Sequence, residues 1–360
     1  MSGSEGPPPP GWAPPPPSPP SIWGGPPNYG PGYAPGPPVP QWGPGMLGAA
    51  HRPGAMPLRP LGLGDLYDAA FRIIRFNPKA TVGSAVLVAA VAMAIPVLVT
   101  AVITSVIDLS DDAISDDYGD LAGTTAVYAT TLIGSILQYV GLVFVTGMIA
   151  HVTAAAAIGR RLSLGEAWAA TRGSRWRLLG LTALIALIWT VLFGGYVAAS
   201  VALLLLVDSW AVALAWFAIT GPLLVAVTWW TWIRVTYLPV PALIIERIGV
   251  FAAIGRGYRL TRRQFWRTFG IALLTLIVTS IASQVLTTPL SFVFQFAAAV
   301  VDPSATLILL VLGQALALVI AAAFVTPFTS AVTALQYLDQ RIRKEAYDVE
   351  LMTRSGILPA

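Results

Sequence analysis

Two histidines, His51 and His151, stand in a chain of 360 residues that holds no cysteine. Acid–base, thiol and metal chemistry draw on these residue types first, since imidazole titrates near neutral pH and thiolates bind soft metals. His51 lies among prolines and His151 has no carboxylate close in sequence, so neither assembles the ligand set of a zinc site. The chain has no Gly-x-Ser-x-Gly elbow and no Walker-type phosphate loop. Asp108, Asp111, Asp112, Asp116, Asp117 and Asp120 cluster in one stretch but lack the spacing and closing Glu of a calcium loop. The expectation is a protein without enzymatic activity and without a cofactor.

The remaining polar chemistry lies inside apolar sequence. Ser280, Gln284, Thr287, Thr288, Ser291 and Gln295 recur at helical spacing. Unpaired amides are costly in hydrocarbon, so this stripe predicts either a helix–helix interface or a polar cavity open to the outer face. Gly134, Gln138 and Gly141, spaced i, i+4, i+7, form a smaller counterpart suited to close packing and an interhelical hydrogen bond.

The elements that carry these residues follow from the basic side chains. All 21 Lys and Arg fall at 52–79, 160–177, 234–267 and 341–354. Between these clusters lie three apolar stretches, each long enough for two spans of about 20 residues. The intervening turns, near 108–120, Asp208 and Asp302, hold no basic residue. Positive charge collects in cytoplasmic loops, which predicts six spans with both termini in the cytoplasm and a multi-pass plasma-membrane location. The spans fall near 81–107, 124–150, 178–206, 210–236, 268–290 and 305–336, with a kink or a short interfacial helix over 290–300. No Asp, Glu or Lys lies deep in a span, which weighs against ion-coupled transport. The chain is 56% hydrophobic and 11% charged, with a mean hydropathy of +0.73. Its net charge of +4 and pI near 9.5 point to anionic inner-leaflet headgroups rather than to nucleic acid. Arg172, Arg177, Arg262, Arg263 and Arg267 are the candidate lipid contacts, and Trp176 and Trp266 the interfacial anchors.

Residues 1–60 carry 21 of the 30 prolines, interleaved with Trp12, Trp23, Tyr29, Tyr33 and Trp42. Such a segment buries no core, which predicts a disordered cytoplasmic tail able to dock a proline-recognising protein partner. A membrane domain over 61–345 and a cytoplasmic tail over 346–360 complete the organisation. No basic-then-apolar stretch opens the chain, so the first span is expected to direct insertion. A short motif recurs ahead of the first, third and fifth spans. It reads Leu63-Gly64-Asp65-Leu66-Tyr67, Leu164-Gly165-Glu166-Ala167-Trp168 and Ile254-Gly255-Arg256-Gly257-Tyr258. The second and third copies keep a 90-residue register, pairing Thr171 with Thr261, Arg172 with Arg262, Trp176 with Trp266, Arg177 with Arg267 and Gly180 with Gly270. This predicts an all-α fold of three units, each an amphipathic helix followed by a membrane hairpin. In the first amphipathic helix Leu63, Leu66, Tyr67, Ala70, Phe71 and Ile74 form the apolar face, and Pro78 ends it.

The entry segment Leu58-Arg59-Pro60-Leu61-Gly62-Leu63-Gly64-Asp65, running to Arg75-Phe76-Asn77-Pro78, resembles that of a bacterial membrane family. The exit segment Tyr337-Leu338-Asp339-Gln340-Arg341-Ile342-Arg343-Lys344-Glu345, followed by Asp348, resembles the same family's. It is the membrane domain named for glycerophosphoryl diester phosphodiesterases, including stand-alone actinobacterial-type members with proline-rich tails. In the named enzymes an attached barrel carries the catalysis, and this chain has no room for it. The sequence therefore points to a scaffold or accessory subunit at the inner leaflet, or to envelope-lipid handling. The alternative is a transporter or channel using the polar face of the fifth span.

Overall fold

The computed structural model describes residues 54–110, 116–301 and 303–354, which contain helices and no strand. Most of the proline-rich tail and the turn residues Asp111, Asp112 and Asp302 lie outside the described residues. In chain order the helices are α1 (Leu63–Phe76), α2 (Pro78–Ser110), α3 (Asp116–Ala157), α4 (Leu164–Ala170), α5 (Arg175–Leu206), α6 (Trp210–Thr231), α7 (Pro239–Glu246), α8 (Val250–Thr261), α9 (Phe265–Val300), α10 (Pro303–Glu345) and α11 (Tyr347–Arg354). Six of them, α2, α3, α5, α6, α9 and α10, are long and apolar enough to cross a membrane. A π-turn, Trp232–Thr236, follows α6.

The described Lys and Arg residues occupy the short helices, their joints and the adjoining ends of the long ones. Hydrogen bonds tie these pieces into one basic end of the bundle. Ala55 N–H donates to Ala156 O at 2.8 Å, and Leu162 N–H to Asn77 Oδ1 at 2.9 Å. Asp208 lies at the opposite end, in the turn between α5 and α6.

The basic end contains the core. Leu66 and Ile73 of α1 pack with Leu61, Ile149, Leu178 and Leu238, all fully buried or nearly so. The buried face of α1 is Leu66, Ala69, Ala70 and Ile73, whereas Leu63 and Phe71 stay exposed. The apolar face read from sequence is therefore rotated, because α1 sits at an edge and Phe71 reaches across to Phe328, with ring centroids 4.9 Å apart. Pro78 does end α1, and it starts α2 at its first position, where its missing N–H leaves no bond unmade.

Two boundaries move. Met56, Leu58 and Leu61 are buried in the core, so the packed region begins before residue 61. Proline-rich composition hides this, yet Gly54 passes so close to the end of α3 that a Cβ would collide with the Ala156 carbonyl oxygen. The fifth span also has no separate interfacial helix. α9 runs unbroken for 36 residues through Pro289, about 54 Å at 1.5 Å per residue.

α10 is the central helix, packed along α9, α2 and α3, whereas α6 meets the π-turn that follows it and, through Trp216 and Thr220, Ser200 and Tyr196 of α5. The starts of α5 and α9 nonetheless bury their residues in step. Thr171, Leu178, Leu181 and Thr182 are buried, and so are Thr261, Thr268, Ile271 and Ala272 at a 90-residue offset. Thr171 Oγ1 donates to Trp168 O, and Thr261 Oγ1 to the matching Tyr258 O.

Candidate functional site: a hydroxyl-lined cleft and an arginine joint

A cavity of about 730 Å³ lies among α2, α3, the π-turn, α9 and α10, with Ile185 of α5 and Val240 of α7 at its edge. Along α9 it runs from Ala272 to Gln284, a rise of about 18 Å. Its polar lining comes from Thr275, Thr279, Ser280, Ser283 and Gln284 of α9 and from Thr326, Thr329, Ser330 and Thr333 of α10. Gln138, Tyr139 and Thr146 face it from α3, and Thr236 and Tyr237 from the π-turn and the residue after it. Among the described residues no Asp, Glu, His, Lys or Arg is in this lining.

Local helix chemistry sets what the hydroxyls offer. In a helix a Thr or Ser hydroxyl donates readily to the carbonyl one turn back. Thr275 does so to Ile271 O at 2.7 Å, Thr279 to Thr275 O at 2.7 Å and Ser280 to Leu276 O at 2.7 Å. Thr329 and Thr333 repeat this on α10, to Val325 O at 2.9 Å and Thr329 O at 2.8 Å. With the proton committed, each oxygen turns its lone pairs outward, so the cleft presents mainly acceptors. Thr236 Oγ1 is buried with no hydrogen-bond partner among the described residues. Tyr67 and Thr275 share a hydrogen bond of 3.1 Å from α1 to α9, and Thr146 and Ser330 one of 3.0 Å from α3 to α10.

The fifth-span stripe divides. Ser280 and Gln284 reach the cleft, whereas Ser291 and Gln295 face Gln314 of α10 in a separate pocket of about 260 Å³. Thr287 returns its hydroxyl to Ser283 O at 2.9 Å, and Thr288 lines neither cavity. On the second span Gly141 meets Val88 of α2 so closely that a Cβ would clash, while Gln138 turns to the cleft.

Below the cleft α10 is buried without a break from Ser330 to Gln340, and there the Asp339 carboxylate is fully enclosed. Arg267 Nη1 donates to Asp339 Oδ2 at 2.5 Å, Arg343 Nε to both oxygens at 3.0 Å, and Leu61 N–H to Oδ1 at 2.7 Å. The Leu61 carbonyl accepts from Arg267 Nη2 at 2.7 Å and Arg343 Nη2 at 2.8 Å. Arg267, a candidate lipid contact from sequence, is thus shared with a buried acid. The entry and exit segments meet here.

The other candidates are spread out. Arg172 is exposed, and Arg177 donates to Arg247 O at 2.8 Å. Arg262 and Arg263 are exposed at the end of α8, where Arg263 holds φ 66 and Lys344 Nζ donates to the Arg262 carbonyl at 2.7 Å. Trp176 and Trp266 are 85% and 78% exposed at the starts of α5 and α9. Nearby, burial pulls the Arg256 guanidinium down, but hydrogen bonds to Glu345 and Glu246 outweigh it and hold its pKa above the ordinary value.

Three contacts run head to tail around the basic end. Asn77, at the α1–α2 joint, binds Leu162, two residues ahead of α4. Arg177, at the start of α5, binds Arg247, three residues ahead of α8. Arg267, at the start of α9, binds Leu61, two residues ahead of α1. Sequence reasoning missed Asp339, Arg343 and the α10 hydroxyls. Thr326, Thr329, Ser330 and Thr333, at i, i+3, i+4 and i+7, carried a readable signal. The chain matches no family model, no curated protein and no solved structure.

Proposed function

We propose that this protein handles a lipid without enzymatic chemistry, holding an uncharged, hydroxyl-bearing amphiphile in the cleft among α3, α9 and α10. One observation carries the reading: a cavity of about 730 Å³ lined by acceptor-biased hydroxyls and two glutamines, with no charged side chain. Its volume falls in the usual range for small-molecule sites, about 300–1,000 Å³. An acceptor-rich wall favours a ligand that donates, such as a glycerol or sugar hydroxyl. A phosphate would meet mainly acceptors there and no cation. α6 contributes nothing to the lining and α5 only Ile185, so entry sideways from the bilayer fits better than passage from the basic end. The buried run of α10 from Ser330 to Gln340 argues against an open channel.

The basic end is read as cytoplasmic and the membrane as the plasma membrane, on the distribution of Lys and Arg. The three helix-plus-hairpin units are read as parallel repeats, supported by the shared burial register and the head-to-tail contacts. Kinship with the phosphodiesterase-named membrane domain remains a proposal from the entry and exit segments. A protein partner for the proline-rich tail is proposed on composition alone.

Mass spectrometry of protein purified in mild detergent tests the lipid assignment. A neutral hydroxylated lipid should co-purify and fall about tenfold in a Gln284→Leu, Thr326→Val double variant with little change in melting temperature. Retention unaffected by the double variant would overturn the cleft reading. A solute flux in vesicles that is lost on Gln284→Leu would favour the transporter alternative instead.

A further inference from the structure

We infer that Arg267 and Arg343 form the floor of a headgroup site for an anionic lipid, distinct from the cleft and independent of its reading. A groove of about 320 Å³ opens between residues 61–63, the first turns of α9 and Arg343. Its charge does not cancel. Two guanidiniums face one carboxylate in the Asp339 joint, which leaves one positive charge on their outer edges. Both side chains are 28% exposed. Arg267 uses Nη1 and Nη2 toward Asp339 and Leu61, and Arg343 uses Nε and Nη2. A guanidinium has five N–H donors, so Arg267 Nε and Arg343 Nη1 remain without a bond to any described residue. Asp65, in the first turn of α1, is occupied by Arg59 and by the Gly62 N–H.

This arrangement fits a phosphate group. Arginine forks match phosphate oxygens, and a guanidinium fixed by a buried acid loses little freedom on binding. The walls select a lipid over a free anion. Trp266 is 78% exposed and Leu63 44% exposed beside the groove, with Leu274 about two turns further along α9. An acyl chain can lie along these side chains while the indole stays at headgroup depth. Gly270 opens onto the groove, where a Cβ would meet nothing within 4 Å. The corresponding start of α5 lacks the site. Arg177 faces a backbone carbonyl rather than an acid, and Val250 lies 3.4 Å from where a Cβ on Gly180 would stand.

Delipidated full-length protein in detergent, titrated with phosphatidylglycerol, phosphatidylcholine or inorganic phosphate, tests this by native mass spectrometry and melting temperature. Phosphatidylglycerol alone should bind and raise the melting temperature. Gly270→Leu fills the groove without touching the joint and should weaken that binding about tenfold. Leu63→Glu places a carboxylate on the exposed rim, in the first turn of α1 where acids are tolerated, and should weaken it similarly. Equal stabilisation by phosphatidylcholine, or by phosphate alone, would overturn the anionic-lipid assignment. So would wild-type phosphatidylglycerol binding in either folded variant.

Discussion

At the start of α5 stand Arg175, Trp176 and Arg177, and at the start of α9 stand Phe265, Trp266 and Arg267, with both indoles exposed and the following apolar turn buried. As far as Ile185 and Thr275 the two helices bury matching positions, and then they diverge. α9 goes on to pack against α10 and to line the cleft with Thr275, Thr279 and Gln284. α5 exposes Val191, Val197, Val201 and Leu205, and its partner α6 buries Thr231 alone. The same local pattern therefore fixes how a hairpin is anchored but not what its outer half touches. In hydrocarbon an apolar face gains little by choosing protein over lipid, so the choice rests on polar groups and close packing. α9 carries hydroxyls that line the cleft, and α10 brings Gly313 against Phe294, whereas Trp216 and Thr220 of α6 hydrogen-bond to Ser200 and Tyr196 of α5. α5 and α6 offer Gly194, Gly195 and Gly221, each with open space where a Cβ would stand.

The sharpest way to break this comparison is at the two anchoring arginines. Asp339→Ala leaves Arg267, Arg343 and the Leu61 N–H without their buried acceptor and should cost about 3–5 kcal/mol. Arg177→Gln loses one exposed hydrogen bond to a carbonyl, worth about 0.5–1.5 kcal/mol. Unfolding in detergent, followed for both variants, should show the first far less stable than the second. Equal losses would mean that the two hairpins are anchored alike.

The glycines probe the outer halves. Gly313→Ala drives a methyl into Phe294 and should destabilise by about 1–3 kcal/mol. Gly194→Ala meets nothing and should be stabilising by about 0.5–1 kcal/mol through helix propensity. If melting temperatures of both variants shift in the same direction, α5 is packed as tightly as α10 and the contrast fails.

The smallest effect concerns the short helices ahead of each hairpin. The Ser163 backbone N–H donates to Glu166 at 2.7 Å and its hydroxyl at 2.8 Å, capping α4 and holding the Glu166 carboxyl below its usual pKa. α8 begins at Gly249 with no side-chain cap. A depressed carboxylate pKa contributes stability that is present above the unfolded value and lost as pH falls through the folded one. The melting-temperature gap between wild type and Glu166→Gln should therefore be small and shrink below about pH 4.3. A gap unchanged into acid would show that ionised Glu166 does not support the cap.

Much of this architecture was legible before any coordinates. Runs of about 20 apolar residues between basic clusters locate six spans, and the indoles Trp176 and Trp266 mark where two of them begin. The segments beginning at Leu63, Leu164 and Ile254 do fall in the short helices α1, α4 and α8. Helical spacing found Ser280 and Gln284, which do reach the cleft, and it grouped Thr288 and Gln295 with them, which do not. Spacing gives a direction around one helix, and all four share that direction. Height along the helix and the identity of the facing neighbour are absent from it.

What the sequence determined by itself are the properties set within one segment: its length, apolarity and flanking charge, which fix whether it spans. The tertiary structure alone decided which segments share a wall. Asp339 stands 72 residues from Arg267 and 278 from Leu61, and only packing makes them one joint. The cleft likewise draws on segments from α2 to α10. Membrane-facing and protein-facing sides are both apolar, so hydrophobic patterning holds no record of that choice.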